Sequence, residues 1–179
     1  FSPVLRERLG HHIHGELWAF RIKQILQEKG LLERPLHIIS ANMHSVMNSL
    51  YAPKALSSEF LKKKPMEVFE ALSSNVNIKL REKVTKTALA EGMIFIEDQS
   101  GTNIDVQIID TSKIKQCEYT KGLAALEDSR KPVIIVMDYA FGEQAYETMD
   151  ELLKPYVDAN KDRHFLDVVS VSIMGKAGI

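Results

Sequence analysis

Three short polar segments carry the residue types that could bind a small ligand, and each follows a predicted buried strand. They read "SANMH" (40–44), "DYAFGE" (138–143) and "GKAG" (175–178). In open parallel sheets, ligands bind beyond the carboxyl ends of the strands. We therefore expect these segments to line one site, with Asp138 and the glycine turn leaving the sheet side by side from neighbouring strands.

The segment "SANMH" offers a hydroxyl, an amide and an imidazole near the start of a predicted helix. These groups belong to Ser40, Asn42 and His44. Free N–H groups at a helix start attract anions, so the segment could bind a phosphate. Alternatively, Ser40 is an ordinary helix N-cap with no ligand.

The segment "DYAFGE" places a carboxylate where a sugar hydroxyl or an amine could be held. We include Asp138 and its neighbour Tyr139 among the ligand-binding candidates, together with Gly142, which permits close approach of the backbone. Glu143 lies in the first helical turn and would repel a phosphate placed there. Alternatively, Asp138 caps the turn and Glu143 complements the helix dipole.

The segment "GKAG" could form an anion-binding nest. Gly175 and Gly178 can expose successive N–H groups, and Lys176 can supply positive charge. The segment matches neither the Walker loop nor the dinucleotide fingerprint. A plain turn is the alternative interpretation.

Histidines form a cluster near the start of the chain, at His11, His12 and His14. Such a cluster could bind a metal, bind a phosphate or titrate at an interface, but no HExxH pattern is present. We interpret His37 and His164 as structural. We assign no metal, no cofactor and no catalytic residue.

The elements that would position these segments follow from hydrophobic periodicity. Residues 1–92 are predicted to be rich in helix, with a helix over 14–29 capped by Gly30, a strand at 35–40, and a helix over 41–51 stopped by Pro53. A helix beginning at Pro65 and another ending at Gly92 complete this half.

The second half is predicted to be rich in strands. Residues 93–110 indicate a β-hairpin. Residues 131–179 indicate a β-α-β unit whose helix runs to about residue 157 and whose strands are both buried on both faces. We predict one α/β domain over 1–179, a fragment of a longer chain, with a mostly parallel sheet flanked by helices in three layers.

Composition narrows the function classes. The 179 residues carry a net charge of −1, which argues against nucleic acid as a partner, since phosphate binding usually requires a basic surplus. Cys117 is the only cysteine and stands in no catalytic context, so we interpret it as a structural thiol in a reducing compartment. With no long apolar run or signal peptide, we expect a cytoplasmic protein with no membrane partner.

Residues 131–179 resemble the central part of the nucleoside phosphorylase and AMP nucleosidase superfamily. The resemblance rests on the order strand, polar loop, helix and strand, followed by "MGKAGI". Gly175, Ala177 and Gly178 match the family's glycine loop, whereas Ile179 stands where a further glycine is expected. The resemblance implies cleavage of a ribosyl N-glycosidic bond by phosphate or water. It also implies a glycine loop beside the base and ribose, "SANMH" near the phosphate, and acid residues beyond Ile179.

Two hypotheses of function follow. The first is a nucleoside- or nucleotide-binding protein, with glycosidic-bond cleavage as its reaction; its small-molecule ligand would be a nucleoside, a nucleotide or phosphate. The second is a non-catalytic α/β module that senses a ligand or forms oligomers. The helical first half, with Trp18 and Phe20, could bury surface against another copy, so we expect a homo-oligomer.

Overall fold

The computed structural model describes residues 3–60, 62–74, 76–114 and 127–175, with the backbone alone at 3–12 and Ser129. The described residues form six α-helices: α1 (Pro3–Glu28), α2 (Met43–Ala55), α3 (Ser57–Phe60), α4 (Pro65–Ser73), α5 (Ile78–Ala90) and α6 (Gly142–Leu153). The strands are β1 (Leu36–Ser40), β2 (Met93–Ile96), β3 (Val106–Asp110), β4 (Val133–Met137), β5 (Tyr156–Val157), β6 (Arg163–His164) and β7 (Val168–Ile173). Short 3₁₀ turns occupy Thr111–Lys113 and Asp128–Arg130.

Five strands form one sheet in the order β2-β3-β4-β1-β7, and β5 pairs with β6 in a separate small hairpin. The chain is therefore an α/β protein, as predicted. The sheet is mixed rather than mostly parallel. β4 and β7 each run parallel to β1. β2 and β3 form the predicted antiparallel hairpin, and β3 also pairs with β4 in an antiparallel direction.

β1 lies at the centre of the parallel part of the sheet. The prediction that the strands carrying Asp138 and Gly175 are neighbours is wrong, because β1 pairs with both β4 and β7 and separates them. A β-α-β unit does not require its two strands to be adjacent. A third parallel strand from elsewhere in the chain can lie between them.

Helices pack on both faces of the sheet because the apolar side chains of β4 alternate between two cores. Val133, Ile135 and Met137 face one core with α1 and α6, including Trp18 and Leu152. The core on the opposite face is formed by residues of α2, α4, α5 and the sheet. They include Met47, Tyr51, Ala52, Val68, Leu72, Val84, Ala88, Ile109 and Val136.

Most helix ends follow the predicted signals. Gly30 and Gly92 adopt positive φ of 67° and 87° just after α1 and α5. Such angles strain residues that carry a Cβ, which is why glycine ends these helices. Pro65 is the first residue of α4, where its missing N–H costs no helical hydrogen bond.

Three helix boundaries differ from the predictions. α1 begins at Pro3 rather than at residue 14. The other two differences involve prolines further along the chain. α6 ends at Leu153 rather than near residue 157, and Tyr156 lies on β5. Pro155 disfavours helical conformation in the residue before it, which accounts for this end. α2 continues two residues past Pro53. A proline removes the hydrogen bond to the preceding turn but does not prevent residues after it from remaining helical.

β7 differs most from its prediction. It is an edge strand, and Val169, Val171 and Ile173 are exposed rather than buried. Valine and serine alternate along β7, but Val171 and Ile173 are exposed and Ser170 is half-buried, the reverse of the usual arrangement with apolar residues inside.

Among the residues that the structure describes, no helix has both the length and the apolar character needed to span a membrane.

Candidate functional site

The three polar segments start from one edge of the sheet. Ala41 donates its N–H to the carbonyl of Met137 at 3.1 Å, and Met174 donates to the carbonyl of Ser40 at 2.8 Å. These bonds join the carboxyl ends of β1, β4 and β7. The expectation that the segments share an edge is therefore met by their described parts.

The segment after β1 lies between the other two along this edge. Asp138 lies one strand, about 5 Å, from Ala41, whereas about 10 Å and the whole of β1 separate it from Gly175. Gly175 is exposed and has no atom within 4 Å of the position of a Cβ. Lys176 and Gly178 lie outside the described residues.

Asn42 caps α2. Its Oδ1 accepts the N–H of His44 at 3.0 Å, and both side chains are exposed. The alternative in which Ser40 caps this helix is therefore wrong, because Ser40 is the last residue of β1. Ser40, half-buried, belongs to the floor of the site, and Asn42 and His44 form its rim on the α2 side.

Asp138 stands at the end of β4, half-buried. Its N–H donates to the carbonyl of Asp105 at 3.0 Å, and its Oδ1 accepts the N–H of Tyr139 at 2.8 Å. The first bond ties the backbone to the loop that precedes β3. The second is the turn-capping contact anticipated as the alternative role of this carboxylate.

An exposed aromatic pair follows Asp138. The rings of Tyr139 and Phe141 have centroids 6.1 Å apart, and the two residues are 37% and 75% exposed. Tyr139 is among the predicted site residues, whereas Phe141 is not. Its place in the loop directly after a parallel strand was a usable signal, because large apolar residues in such loops seldom have a core to enter.

Phe141 is also the N-cap residue of α6, and it makes no side-chain cap bond. Gly142 follows with a positive φ of 57° and nothing within 4 Å of the position of a Cβ. The first N–H groups of α6 thus have no side-chain acceptor from their cap residue. The space beside Gly142 is open, and its role in binding a ligand stays a prediction.

β1 and β4 form a topological switch point. They are adjacent and parallel, but β1 leads to α2 on one face of the sheet and β4 leads to α6 on the other. Helices that diverge in this way leave a crevice at the carboxyl ends of the two strands, where ligands of α/β proteins bind. The residues at this crevice are Ser40, Asn42, Asp138 and the aromatic pair.

The histidines make other contacts. Nδ1 of His14 lies against the carbonyl of Ser100, and His164 bonds to Asp158 at 3.0 Å. The side chains of His11 and His12 are not among those described. Within the part of the chain that the structure describes, no three potential metal ligands come together.

A serine–histidine hydrogen bond links β1 to β7. Nδ1 of His37 lies 2.6 Å from Oγ of Ser170. Both residues are in the middle of strands, far from a helix start that could supply an oxyanion hole. The contact therefore fits the predicted structural role of His37 better than nucleophilic catalysis.

Two surface cavities lie away from the strand ends. One, of about 440 Å³, lies between α2 and α5 and is lined mainly by charged side chains such as Lys83 and Glu82. The other, of about 640 Å³, lies between α1 and β2 and includes Leu17 and Phe95. Neither contains a residue predicted for the ligand site.

A protein-family model described as a family of unknown function (DUF6909) matches residues 72–179, which include β4, α6 and β7. No curated protein and no solved structure matches the chain.

Proposed function

This chain belongs to the family of unknown function DUF6909, and we propose that it binds a nucleoside or a nucleotide at the carboxyl ends of β1 and β4. The observation that carries the proposal is the switch point between these strands, with a carboxylate, an amide and two exposed aromatic rings around it.

The chemistry of the rim supports a nucleoside. Exposed aromatic rings provide stacking surfaces for a nucleobase, as Tyr139 and Phe141 would do here. The carboxylate of Asp138 is an acceptor for the hydroxyl groups of a sugar, and the amide of Asn42 can both donate and accept.

The phosphate end of a nucleotide has less support. Segments 40–45, 138–144 and 172–175 contain no lysine or arginine. His44 and the uncapped N–H groups of α6 could receive a phosphate, but Glu143 in the first turn of α6 opposes it. Lys176, outside the described residues, is the next cation along the chain.

The binding experiment is a thermal-shift screen followed by calorimetry, with purine nucleosides, AMP, ribose 5-phosphate and phosphate as ligands. We expect stabilisation by nucleosides and weaker or no stabilisation by phosphate alone. A screen in which none of these compounds shifts the melting temperature would overturn the proposal.

Two variants locate the site. Phe141→Ala should weaken nucleoside binding roughly tenfold by removing one stacking surface, and Asp138→Asn should weaken it by removing a charged acceptor. Phe165→Ala is the matched control, because Phe165 is 70% exposed in a different loop. Equal losses in Phe141→Ala and Phe165→Ala would exclude the crevice as the site.

Turnover is measured on the same samples. Cleavage of the glycosidic bond by phosphate would yield the free base and ribose 1-phosphate, and cleavage by water would yield the base and ribose. Release of base would assign the reaction that the family resemblance implies. Binding without release of base would favour the ligand-sensing module.

A further inference from the structure

We propose that the free edge of β7 pairs with β7 of a second copy of this chain, in an antiparallel arrangement about a twofold axis near Val171. The proposed dimer would join two sheets into one continuous sheet. The surface is the edge of β7 together with one flank of α6, and it is distinct from the ligand crevice at the strand ends.

Unpaired backbone groups line this edge. Met174 donates its N–H to Ser40 of β1 at 2.8 Å. Since successive residues of a strand direct their N–H and C=O groups to opposite edges, Val171 and Ile173 direct theirs away from β1. Among the residues that the structure describes, β7 is the last strand of the sheet and no strand pairs with its outer edge, so these groups face a free edge.

The edge carries neither charge nor proline; its one irregularity is the register shift at Val169, between the residues that pair with Leu36 and His37. Natural edge strands commonly carry lysine, proline or inward-pointing charges that prevent association. Residues 168–175, "VVSVSIMG", contain no charged residue and no proline. A neutral strand can meet its own copy without repulsion between like charges.

The sequence of β7 is self-complementary about Val171. Residues 169–173 read Val-Ser-Val-Ser-Ile, so the residue types are nearly the same in both directions. An isologous interface requires such symmetry, because each side must fit its own copy. With Val171 on the axis, Val169 would face Ile173 of the other copy, and Ser170 would face Ser172. This symmetry favours a second copy over an unrelated strand.

One flank of α6 extends the same apolar surface. α1 lies against Glu147 and Glu151 of α6 on the side nearer β2 and β3. Tyr146, Met149 and Leu153, at i, i+3 and i+7, lie on the opposite flank, towards β7, and Tyr146 is 73% exposed. Ile173 is 77% exposed and shares the face of the sheet on which α6 packs.

The surface carries exposed apolar side chains of the kind that a dimer interface buries. Val169 and Ile173 of β7 are 58% and 77% exposed, and Tyr146 and Leu153 of α6 are 73% and 49% exposed. Removing such side chains from water favours association.

The first experiment is sedimentation velocity across the micromolar range. We expect a dimer for the unmodified chain and a monomer for Val171→Lys. Phe95→Lys, on the other edge strand, should remain dimeric; it is the matched control, because Phe95 and Val171 are both 46% exposed. A wild type that stays monomeric throughout would overturn the proposal.

Val171→Pro is the second disruptive variant. It removes an N–H that faces the free edge and makes no bond to β1, so the fold should survive and the dimer should not. Circular dichroism verifies the fold of each variant. A dimer that persists in both folded Val171 variants would also contradict the proposal.

Cysteine cross-linking tests the register in a Cys117→Ser background. Directly opposed residues of a hydrogen-bonded antiparallel pair have Cα atoms about 5.5 Å apart, within disulfide range. Val171→Cys should therefore oxidise to a covalent dimer. In Ile173→Cys the two cysteines would lie about 13 Å apart and should not cross-link. Cross-linking at position 173 as fast as at 171 would indicate random collision or another partner surface.

These tests can refute the proposed dimer without refuting the proposed ligand site. Val171→Lys should keep the thermal shift produced by nucleosides, because position 171 lies inside β7 and not at its carboxyl end.

Discussion

The two ends of the parallel strands β1 and β4 differ. A largely buried polar network joins the segments at their amino ends, whereas exposed side chains surround their carboxyl ends. Arg34, just before β1, donates to Asp110 at 2.8 Å and to the carbonyl of Lys131 at 2.9 Å. Thr111 donates to the carbonyl of Pro132 at 2.5 Å. At the opposite end, Asn42 is exposed, Phe141 is exposed and α6 has no side-chain cap.

The difference indicates that the amino ends of β1 and β4 contribute to the stability of the fold and that their carboxyl ends are available for binding. In the network, one guanidinium joins the segment before β1 to the end of β3 and the start of β4, and its partners are satisfied. Exposed polar and aromatic groups at the other end contribute little to the fold. Asn42 and Asp138 each use one oxygen in a local backbone bond, and their other polar atoms can still bind a ligand. Three predictions test this division.

The largest expected effect is that of Arg34→Met. The variant leaves the carboxylate of Asp110, whose side chain is 5% exposed, without its guanidinium. Loss of one partner of a buried ion pair costs about 3–5 kcal/mol. We expect a loss near the lower figure, because Ser112 still donates to Asp110 and Nζ of Lys113 still lies 3.8 Å from its carboxylate. Urea unfolding measures it.

Arg21→Met is the control for that prediction, because Arg21 is exposed and bonds to Gln24 on its own helix. It should change the free energy of unfolding by less than about 0.5 kcal/mol. Comparable losses in the two variants would show that the network has no special role in stability.

The second prediction concerns pH. Burial alone would raise the pKa of Asp110, but hydrogen bonds from Ser112 and the charge of Arg34 outweigh it and lower the pKa below its usual value. Because the folded-state pKa is the lower one, the carboxylate stabilises the fold above its ordinary pKa. This contribution is lost as the pH falls through the folded-state pKa.

The cost of Arg34→Met should therefore shrink in acid. We expect a clear difference in unfolding free energy between wild type and variant near neutral pH and a smaller one in acid, as the pH falls below the ordinary pKa of an aspartate towards the lower folded-state pKa of Asp110. Unfolding curves across this range measure the trend. A difference that stays constant would mean that the pair contributes little electrostatically.

The smallest expected effect is that of Gly142→Ala. A Cβ at φ of 57° costs about 1 kcal/mol of stability, although it meets no other atom. Gly30→Ala is matched, with φ of 67° and similar open space. Both variants should lose similar stability in thermal unfolding, and only Gly142→Ala should also weaken nucleoside binding.

Local periodicity predicted the individual elements better than their arrangement. The apolar stripe from Trp18 to Leu26 and the glycine at 30 were sufficient for the end of α1, and the turn at 99–102 for the hairpin. The position of β1 between β4 and β7 depends on contacts between distant segments, which no local pattern records. The same limit explains why Asp138 and Gly175 are not neighbours.

The polar and glycine residues of the candidate site were predicted from the sequence, whereas its apolar residue Phe141 was not. Asn42, Asp138 and Gly142 stand at strand ends and attract notice by their polar or flexible character. Phe141 was not predicted as a site residue because a large aromatic side chain is usually expected in a hydrophobic core. Its exposure depends on where α6 starts, and that start follows from the tertiary placement of α6 on the sheet.

The central position of β1 has a consequence for synthesis of the chain. Both of its partners, β4 and β7, are encoded far downstream, so at ordinary ribosomal speed β1 waits on the order of ten seconds for the first of them. During that interval "LHIIS" has no neighbour in the sheet. The helices translated immediately after it, α2 to α5, are available to cover it until β4 emerges.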